Sequence, residues 1–238
     1  MPRRSKSQEA DSRLAGIRSF WELPQTYQFI ALTSRFFNLP QPESIQTFER
    51  ELLKSSSECV KEVTRRLLNY LEKKDIAADA LDSGLAVFLN SNNLQDLLPC
   101  NDYSQTSPEQ KVLILWNIIE KLNEKYDEEI SDYLNDNYSP DQLRATCVGQ
   151  DAFSNNYWYF DDLRLYKEHS TSNPKKPWAS VANSSPLGPR KDWSCVCTTL
   201  GQWNVFLKQF RKTGNSNEKA LYSCLKDEIF PLVKIQLE

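Results

Sequence analysis

Signals for helix starts and apolar helix faces follow one another along the first two thirds of the chain, and they constrain its fold more than any other feature. The clearest start signal lies at residues 107–110, where a serine N-cap, a proline at the first helical position and a glutamine three residues after the cap occur together. The segment that it opens, residues 111–122, is apolar on more than one side, which predicts a central, buried helix. We therefore predict a mainly α fold in which residues 16–144 form a helical region.

The pattern changes at about residue 145, where short aromatic strands replace the helix signals. Residues 156–160 and 163–166 flank a pair of aspartates and predict a β-hairpin, and residues 193–197 predict a third strand. We expect a small antiparallel β-hairpin or three-stranded sheet near residues 145–197. Its aromatic side chains either pack against the helices or form a stacking platform for bases. These side chains are Tyr157, Trp158, Tyr159, Phe160 and Tyr166.

Polar segments lie at the N-terminus and within the last third of the chain. Residues 1–15 are charged and poor in apolar side chains, so we predict a disordered, basic N-terminus. Residues 170–191 contain four prolines and five serines, which favours a solvated linker between a hairpin region at 145–169 and a helical region at 192–236. No apolar run approaches the roughly 20 residues that span a bilayer, and no apolar segment near the N-terminus resembles a secretion signal. We therefore expect no membrane contact and reduced cysteines.

The scarcity of glycine and histidine argues against the common catalytic designs. The chain has six glycines among 238 residues, and no two lie close enough to form a dinucleotide-binding or phosphate-binding loop. Its one histidine, His169, has no companion that would complete a nucleophilic triad or a histidine-based zinc site. We therefore predict an interaction protein without catalytic residues, metal ligands, cofactor or small-molecule substrate.

Basic side chains concentrate in the last third of the chain. Residues 161–226 carry 11 basic and five acidic side chains, whereas residues 1–160 carry 17 basic and 24 acidic ones. A region of this kind either contacts a polyanion or an acidic partner, or it consists of ordinary solvated lysines. The charge pattern alone leaves both interpretations open.

The sequence Gly149-Gln150-Asp151 precedes the hairpin and by itself predicts a turn, with a positive φ at the glycine and an aspartate that bonds back to the turn. In its setting, residues 143–166, it resembles the second WHIM motif, with that motif's glycine-x-aspartate signature and tyrosine-tryptophan pair. Three further segments resemble, in the expected order, the start of a DDT domain and the first and third WHIM motifs. They are residues 17–40, 111–122 and 193–225. Over residues 16–233 the chain thus resembles the DDT/WHIM family of ISWI-associated chromatin-remodelling subunits.

The resemblance implies a nuclear, non-catalytic subunit that binds an ISWI-type remodelling ATPase through a helical DDT–WHIM platform with a small hairpin. It implies that Gly149 and Asp151 contact the ATPase, so that Asp151→Ala weakens binding and leaves the fold intact. It also implies that a basic residue of the second WHIM motif, Arg144 or Arg164, faces nucleosomal linker DNA. Together with the charge pattern, the candidate DNA-facing residues are Arg144, Arg164, Lys167, Lys175, Lys176, Arg190 and Lys191. The alternative is a truncated scaffold or competitor that binds the ATPase without contacting DNA or histones.

Overall fold

The computed structural model describes residues 6–143, 145–170 and 192–237. These residues form a mainly α fold with one small antiparallel sheet, which confirms the predicted fold class. The chain divides into two compact units. The first contains Glu22–Leu143 and the chain before residue 18, and the second contains Arg18–Trp21 and the chain after residue 143.

The first unit is an assembly of helices around one long central helix. Its helices are α1 (Lys6–Arg18), α2 (Glu22–Thr33), α3 (Ile45–Leu53), α4 (Glu58–Glu72), α5 (Leu81–Ser91), α6 (Pro108–Asn137) and α7 (Pro140–Leu143). The predicted capping box starts α6, because Gln110 N donates to Ser107 Oγ over 3.2 Å and Ser107 N donates to Gln110 Oε1 over 2.7 Å. Helices α2, α3 and α4 pack against α6, whose Ile114, Leu115 and Ile118 are fully buried. The prediction of a central, buried helix is therefore confirmed.

The prediction for the N-terminus is wrong for the residues that the structure describes. Disorder is predicted over residues 1–15, but α1 begins at Lys6. Helix α1 consists largely of residues with favourable helix propensity and contains no proline. In addition, Arg13 Nη2 donates to the backbone oxygen of Leu53 over 3.1 Å. Although this segment is polar, it forms a helix, and a hydrogen bond connects that helix to the end of α3.

The second unit contains a four-stranded antiparallel sheet in the order β1-β2-β3-β4. The strands are β1 (Thr146–Gln150), β2 (Asn156–Tyr159), β3 (Leu165–Glu168) and β4 (Trp193–Cys197). The three predicted strands are present, and β1 is an additional strand where the sequence predicts a turn. It pairs with β2 around a bulge between Cys147 and Gly149. Because of this bulge, β1 lacks the strict alternation that marks a strand in a sequence.

One face of the sheet packs against the C-terminal helices. Tyr157 and Tyr159 of β2 lie in a hydrophobic core with side chains from these helices. The rings of Tyr157 and Phe206 meet edge-on, with their centroids 5.3 Å apart. Aromatic pairs in this geometry add to the stabilisation that burial itself provides. This core therefore holds β2, the strand that follows the connection between β1 and β2, in place.

The other face of the sheet carries a second aromatic cluster. It is formed by Phe160, Tyr166 and Trp193, and Trp21 from the Arg18–Trp21 segment packs against it. Of the five predicted aromatic residues, four are at most 6% exposed and Trp158 is partly buried. These side chains therefore pack within the second unit, and the alternative of a stacking platform for bases does not fit their burial.

Three helices and a wide turn complete the second unit. They are α8 (Leu200–Phe210), α9 (Ser216–Ser223), a π-helical turn (Cys224–Ile229) and α10 (Phe230–Leu237). A capping box between Thr199 and Gln202 starts α8. The π-helical turn ends two residues before Pro231, whose ring does not fit a regular helical turn. The helix therefore widens over this turn and then continues as α10. None of the described helices combines the length and apolar character that a membrane span needs.

Candidate partner-docking site at Gly149 and Asp151

Gly149 lies in β1 at the bulge, where the backbone comes very close to helix α9. Its φ is +142°, which agrees with the predicted positive φ, although the residue belongs to a strand and not to a turn. A Cβ at this position would lie 3.1 Å from Leu221 Cβ and 3.2 Å from Leu221 Cα. Glycine is therefore required here both by the backbone conformation and by the contact with α9.

Asp151 begins the connection between β1 and β2, and its carboxylate holds this connection together. Oδ1 accepts hydrogen bonds from the backbone N–H groups of Phe153 (2.9 Å) and Asn155 (3.0 Å). Oδ2 accepts from Asn155 Nδ2 over 2.8 Å and from the Tyr157 hydroxyl over 3.1 Å, and Lys167 Nζ lies 3.2 Å away. Because Asp151 is only 4% exposed, these partners replace water around its charge.

We call residues 151–155 the Asp151 loop, and its remaining N–H groups are also hydrogen-bonded. Ala152 N donates to Glu218 Oε1 of α9 over 3.1 Å. Ser154 N donates to the backbone oxygen of Asp151, and Asp151 N donates to the backbone oxygen of Asn155, both over 3.1 Å. All five backbone N–H groups of the loop thus have partners within the chain. The sequence does not point to Glu218, because no local pattern connects it with residue 152.

The burial of Asp151 gives it a different role from the one that the resemblance implies. Asp151 bonds forward to the backbone of the loop that follows it, at residues 153 and 155, and not back to a turn at Gly149 as predicted. Its carboxylate faces the inside of the loop, and its removal would leave buried donors without an acceptor. We therefore expect Asp151→Ala to destabilise the fold, which corrects the expectation that this variant stays intact. Asp151 is a positioning residue for the exposed part of the loop.

The hydrogen bonds also stabilise the negative charge on Asp151. Burial by itself would raise the pKa of this carboxyl, but the hydrogen bonds from the side chain and backbone of Asn155, from Phe153 N and from Lys167 outweigh it. Together they lower the pKa of Asp151 to about 2. Burial and the neighbouring Asp151 charge raise the pKa of Tyr157, so its hydroxyl stays protonated and donates to the carboxylate.

Acidification should destabilise the second unit in a defined pH range. The pKa of Asp151 is about 2 in the folded protein against an ordinary value of 3.8. Its contribution, about 2 kcal/mol, is therefore fully present above about pH 4 and is lost as the pH falls towards 2. Urea unfolding at a series of pH values, followed by tryptophan fluorescence, measures this loss. Asp151→Asn has no carboxyl to protonate and should lose less stability over the same range; equal losses in both proteins would contradict the assignment.

Two candidate DNA-facing residues, Arg164 and Lys167, interact with groups inside the second unit. Arg164 is fully buried, so the prediction that it faces DNA is wrong for the described structure. Lys167 pairs with Asp151, lies 5.7 Å from the centroid of the Tyr157 ring, and has a side chain that is only 20% exposed. The other candidates lie outside the described residues. They are Arg144, Lys175, Lys176, Arg190 and Lys191.

A buried polar cluster explains why Arg164 points inward. Tyr166 OH donates to Asp162 Oδ2 over 2.5 Å, and Arg164 N donates to Asp162 Oδ1 over 3.1 Å. Burial raises the pKa of Asp162 to about 6, although the Tyr166 hydrogen bond and the Arg164 charge act in the opposite direction. The charge of the buried Arg164 guanidinium therefore acts on the Asp162 carboxyl group. The hydrogen bonds of this cluster stabilise the turn between β2 and β3.

A groove also lies in the first unit. It has a volume of about 730 Å³ and is lined by residues that include Arg65, Arg66, Tyr70 and Lys73. Both arginines bond to Glu62 and Arg65 also pairs with Asp75, so two carboxylates within the protein balance their charge. The described residues contain no group of three or more side chains that could hold a metal ion. The Asp151 loop therefore remains the best-defined candidate site.

Comparisons with known proteins leave the family as a resemblance. No protein-family model matches the chain, and no solved structure matches it significantly. The candidate site therefore rests on its own geometry, in which a buried carboxylate and saturated N–H groups fix a loop whose residues 152–154 are exposed.

Proposed function

We propose that the chain is a non-catalytic accessory subunit that docks an ISWI-type chromatin-remodelling ATPase in the nucleus and contacts nucleosomal linker DNA. The ordered series of DDT-like and WHIM-like segments over residues 16–233 supports this proposal. The Asp151 loop supports it further, because it begins two residues after Gly149 and includes the aspartate of the glycine-x-aspartate signature. A docking surface on this loop would explain why so many internal bonds converge on it.

The observation that carries the proposal is the complete internal bonding of the Asp151 loop. Its N–H groups and its buried carboxylate fix the backbone, while residues 152–154 remain exposed. A loop that is already fixed loses little conformational freedom on binding, so more of the contact energy appears as affinity. Such loops are typical of surfaces that recognise a protein without rearrangement.

The basic last third of the chain supports the DNA contact. Lysine and arginine contacts to phosphates give an affinity that does not depend on base sequence and that falls as salt rises. Phosphate contacts also position a protein on the duplex without reading bases. A remodelling subunit acts on nucleosomes of many sequences, and binding of this kind suits that task.

A second candidate function is a scaffold or competitor that binds the ATPase without contacting DNA or histones. The burial of Arg164 and the pairing of Lys167 with Asp151 favour this alternative, because each removes a candidate phosphate contact. The two candidates agree on ATPase docking and differ only in DNA binding.

Two measurements on the full chain test the proposal. The first is copurification with a recombinant ISWI-type ATPase, and the second is filter binding to a linker-length duplex at increasing salt. We expect stable copurification and a duplex affinity that falls steeply with salt. Charge reversal at Lys175, Lys176, Arg190 and Lys191 should lower the duplex affinity and leave copurification unchanged. Copurification without duplex binding would favour the scaffold, and the absence of copurification would contradict both candidates.

A further inference from the structure

Phe153 stands out among the aromatic residues around the sheet because it is exposed. It lies at the tip of the Asp151 loop and is 80% exposed. By contrast, Tyr157, Tyr159, Phe160 and Tyr166 are at most 6% exposed. An exposed aromatic side chain on a fixed loop is a typical anchor of protein–protein interfaces, where a few such residues supply most of the binding energy.

The backbone on both sides of Phe153 is fixed. Phe153 N donates to Asp151 Oδ1 over 2.9 Å, and Ala152 N donates to Glu218 Oε1 over 3.1 Å. Ser154 has a φ of +60°, a left-handed conformation that non-glycine residues adopt at a cost and that the surrounding bonds must maintain. The fold therefore holds a strained turn in one conformation that presents the Phe153 ring to solvent.

Three basic residues lie close in the sequence to the α9 side of the loop. Glu218, which bonds to Ala152 N, also accepts a hydrogen bond from the Thr213 hydroxyl, so its carboxylate is engaged by the fold. Arg211, Lys212 and Lys219 neighbour these two residues in the sequence and are exposed, and within the described parts of the chain they form no ion pair. A partner that binds over Phe153 and extends towards α9 would therefore meet positive charge away from the ring itself.

We propose that Phe153 is the anchor of ATPase docking, and that it inserts into an apolar pocket with an acidic rim on the ISWI-type ATPase. This inference rests on the proposed function and names the residue that makes the contact, for which Gly149 and Asp151 provide the position. A protein pocket fits better than DNA, because the residues next to Phe153 in the loop, Ala152 and Ser154, carry no charge. A side chain that wedges into DNA needs cations immediately around it to hold the phosphates.

The test compares Phe153→Ser with Val205→Ser in the full chain. Val205 on α8 is 60% exposed and belongs to the same unit, so it is a matched control for the loss of an exposed apolar side chain. The equilibrium constant for dissociation from a recombinant ISWI-type ATPase is measured by biolayer interferometry. We expect Phe153→Ser to weaken binding by about 30-fold and Val205→Ser to leave it unchanged. Phe153→Leu should restore part of the affinity, and all three variants should unfold at the wild-type temperature.

Two further measurements distinguish failure of the Phe153 anchor from failure of the proposed function. Lys212→Glu combined with Lys219→Glu should slow association at low salt, because an acidic rim would then meet like charge; faster association would contradict the acidic rim. Wild-type affinity of Phe153→Ser would overturn the anchor and leave the proposed function standing. A loss of duplex affinity in Phe153→Ser without a loss of ATPase affinity would assign the ring to DNA and also overturn it. If the wild-type chain does not bind the ATPase, the proposed function fails and this inference fails with it.

Discussion

Replacing Asp151 with alanine should lower the free energy of unfolding of the second unit by about 3–5 kcal/mol. The substitution leaves the Asn155 amide, the Tyr157 hydroxyl and the Lys167 ammonium group without their common acceptor. Removing one partner of a buried ion pair is costly, because the remaining charge keeps its desolvation penalty and loses the compensating attraction. Since a folded domain is stable by only about 5–15 kcal/mol, this variant should lie close to unfolding.

Urea unfolding followed by tryptophan fluorescence measures this loss, since Trp158, Trp193 and Trp203 all lie in the second unit. Tyr157→Phe is the matched control, because it removes a single donor to the same carboxylate and should cost about 1–2 kcal/mol. Asp151→Asn keeps an acceptor for the backbone N–H groups and should fall between the two. If the alanine variant had wild-type stability, the carboxylate would not hold the loop, and a direct contact of Asp151 with the ATPase would again be the better interpretation.

The helices could be predicted because their signals are local. A capping box joins a side chain and an N–H group three residues apart, and the one predicted at 107–110 is present. Strand β1 has no comparable local signal. Its hydrogen bonds come from β2, and the conformation of its Gly149 is tied to the approach of Leu221, which lies far away in the sequence.

The candidate site divides in the same way. That Asp151 bonds to nearby backbone N–H groups follows from the short side chain of aspartate and could be predicted, although these bonds go to the loop after it and not to a turn at Gly149. The burial of Asp151 could not be predicted, because it depends on residues that are distant in the sequence. Lys167 of β3 pairs with the carboxylate, and Glu218 of α9 accepts a hydrogen bond from the loop. Arg164 shows the same limit, since in the sequence it is a basic residue beside a turn and only the fold places it inside, next to Asp162.

The second large effect is expected at Gly149, where Gly149→Ala should lower the free energy of unfolding by about 2–4 kcal/mol. At a φ of +142° any side chain is strained, and the new Cβ would lie 3.1 Å from Leu221 Cβ and 3.2 Å from Leu221 Cα. Since one of these atoms belongs to the backbone of α9, rotation of a side chain cannot relieve the contact. The helix itself must shift, and this shift would pull Glu218 away from Ala152 N.

Gly201→Ala makes the same chemical change at another position of the second unit and is the matched control. Gly201 lies in α8, and a Cβ there would meet only Thr199 Oγ1 at 3.9 Å. Because alanine is the better helix former, this variant should keep its stability or gain up to about 1 kcal/mol. The difference between the two variants in urea unfolding therefore measures what the bulge and α9 require of residue 149. Equal stabilities would mean that α9 does not pack against β1 as the structure has it. A stable Gly149→Ala protein that no longer binds the ATPase would instead place the partner directly on the glycine.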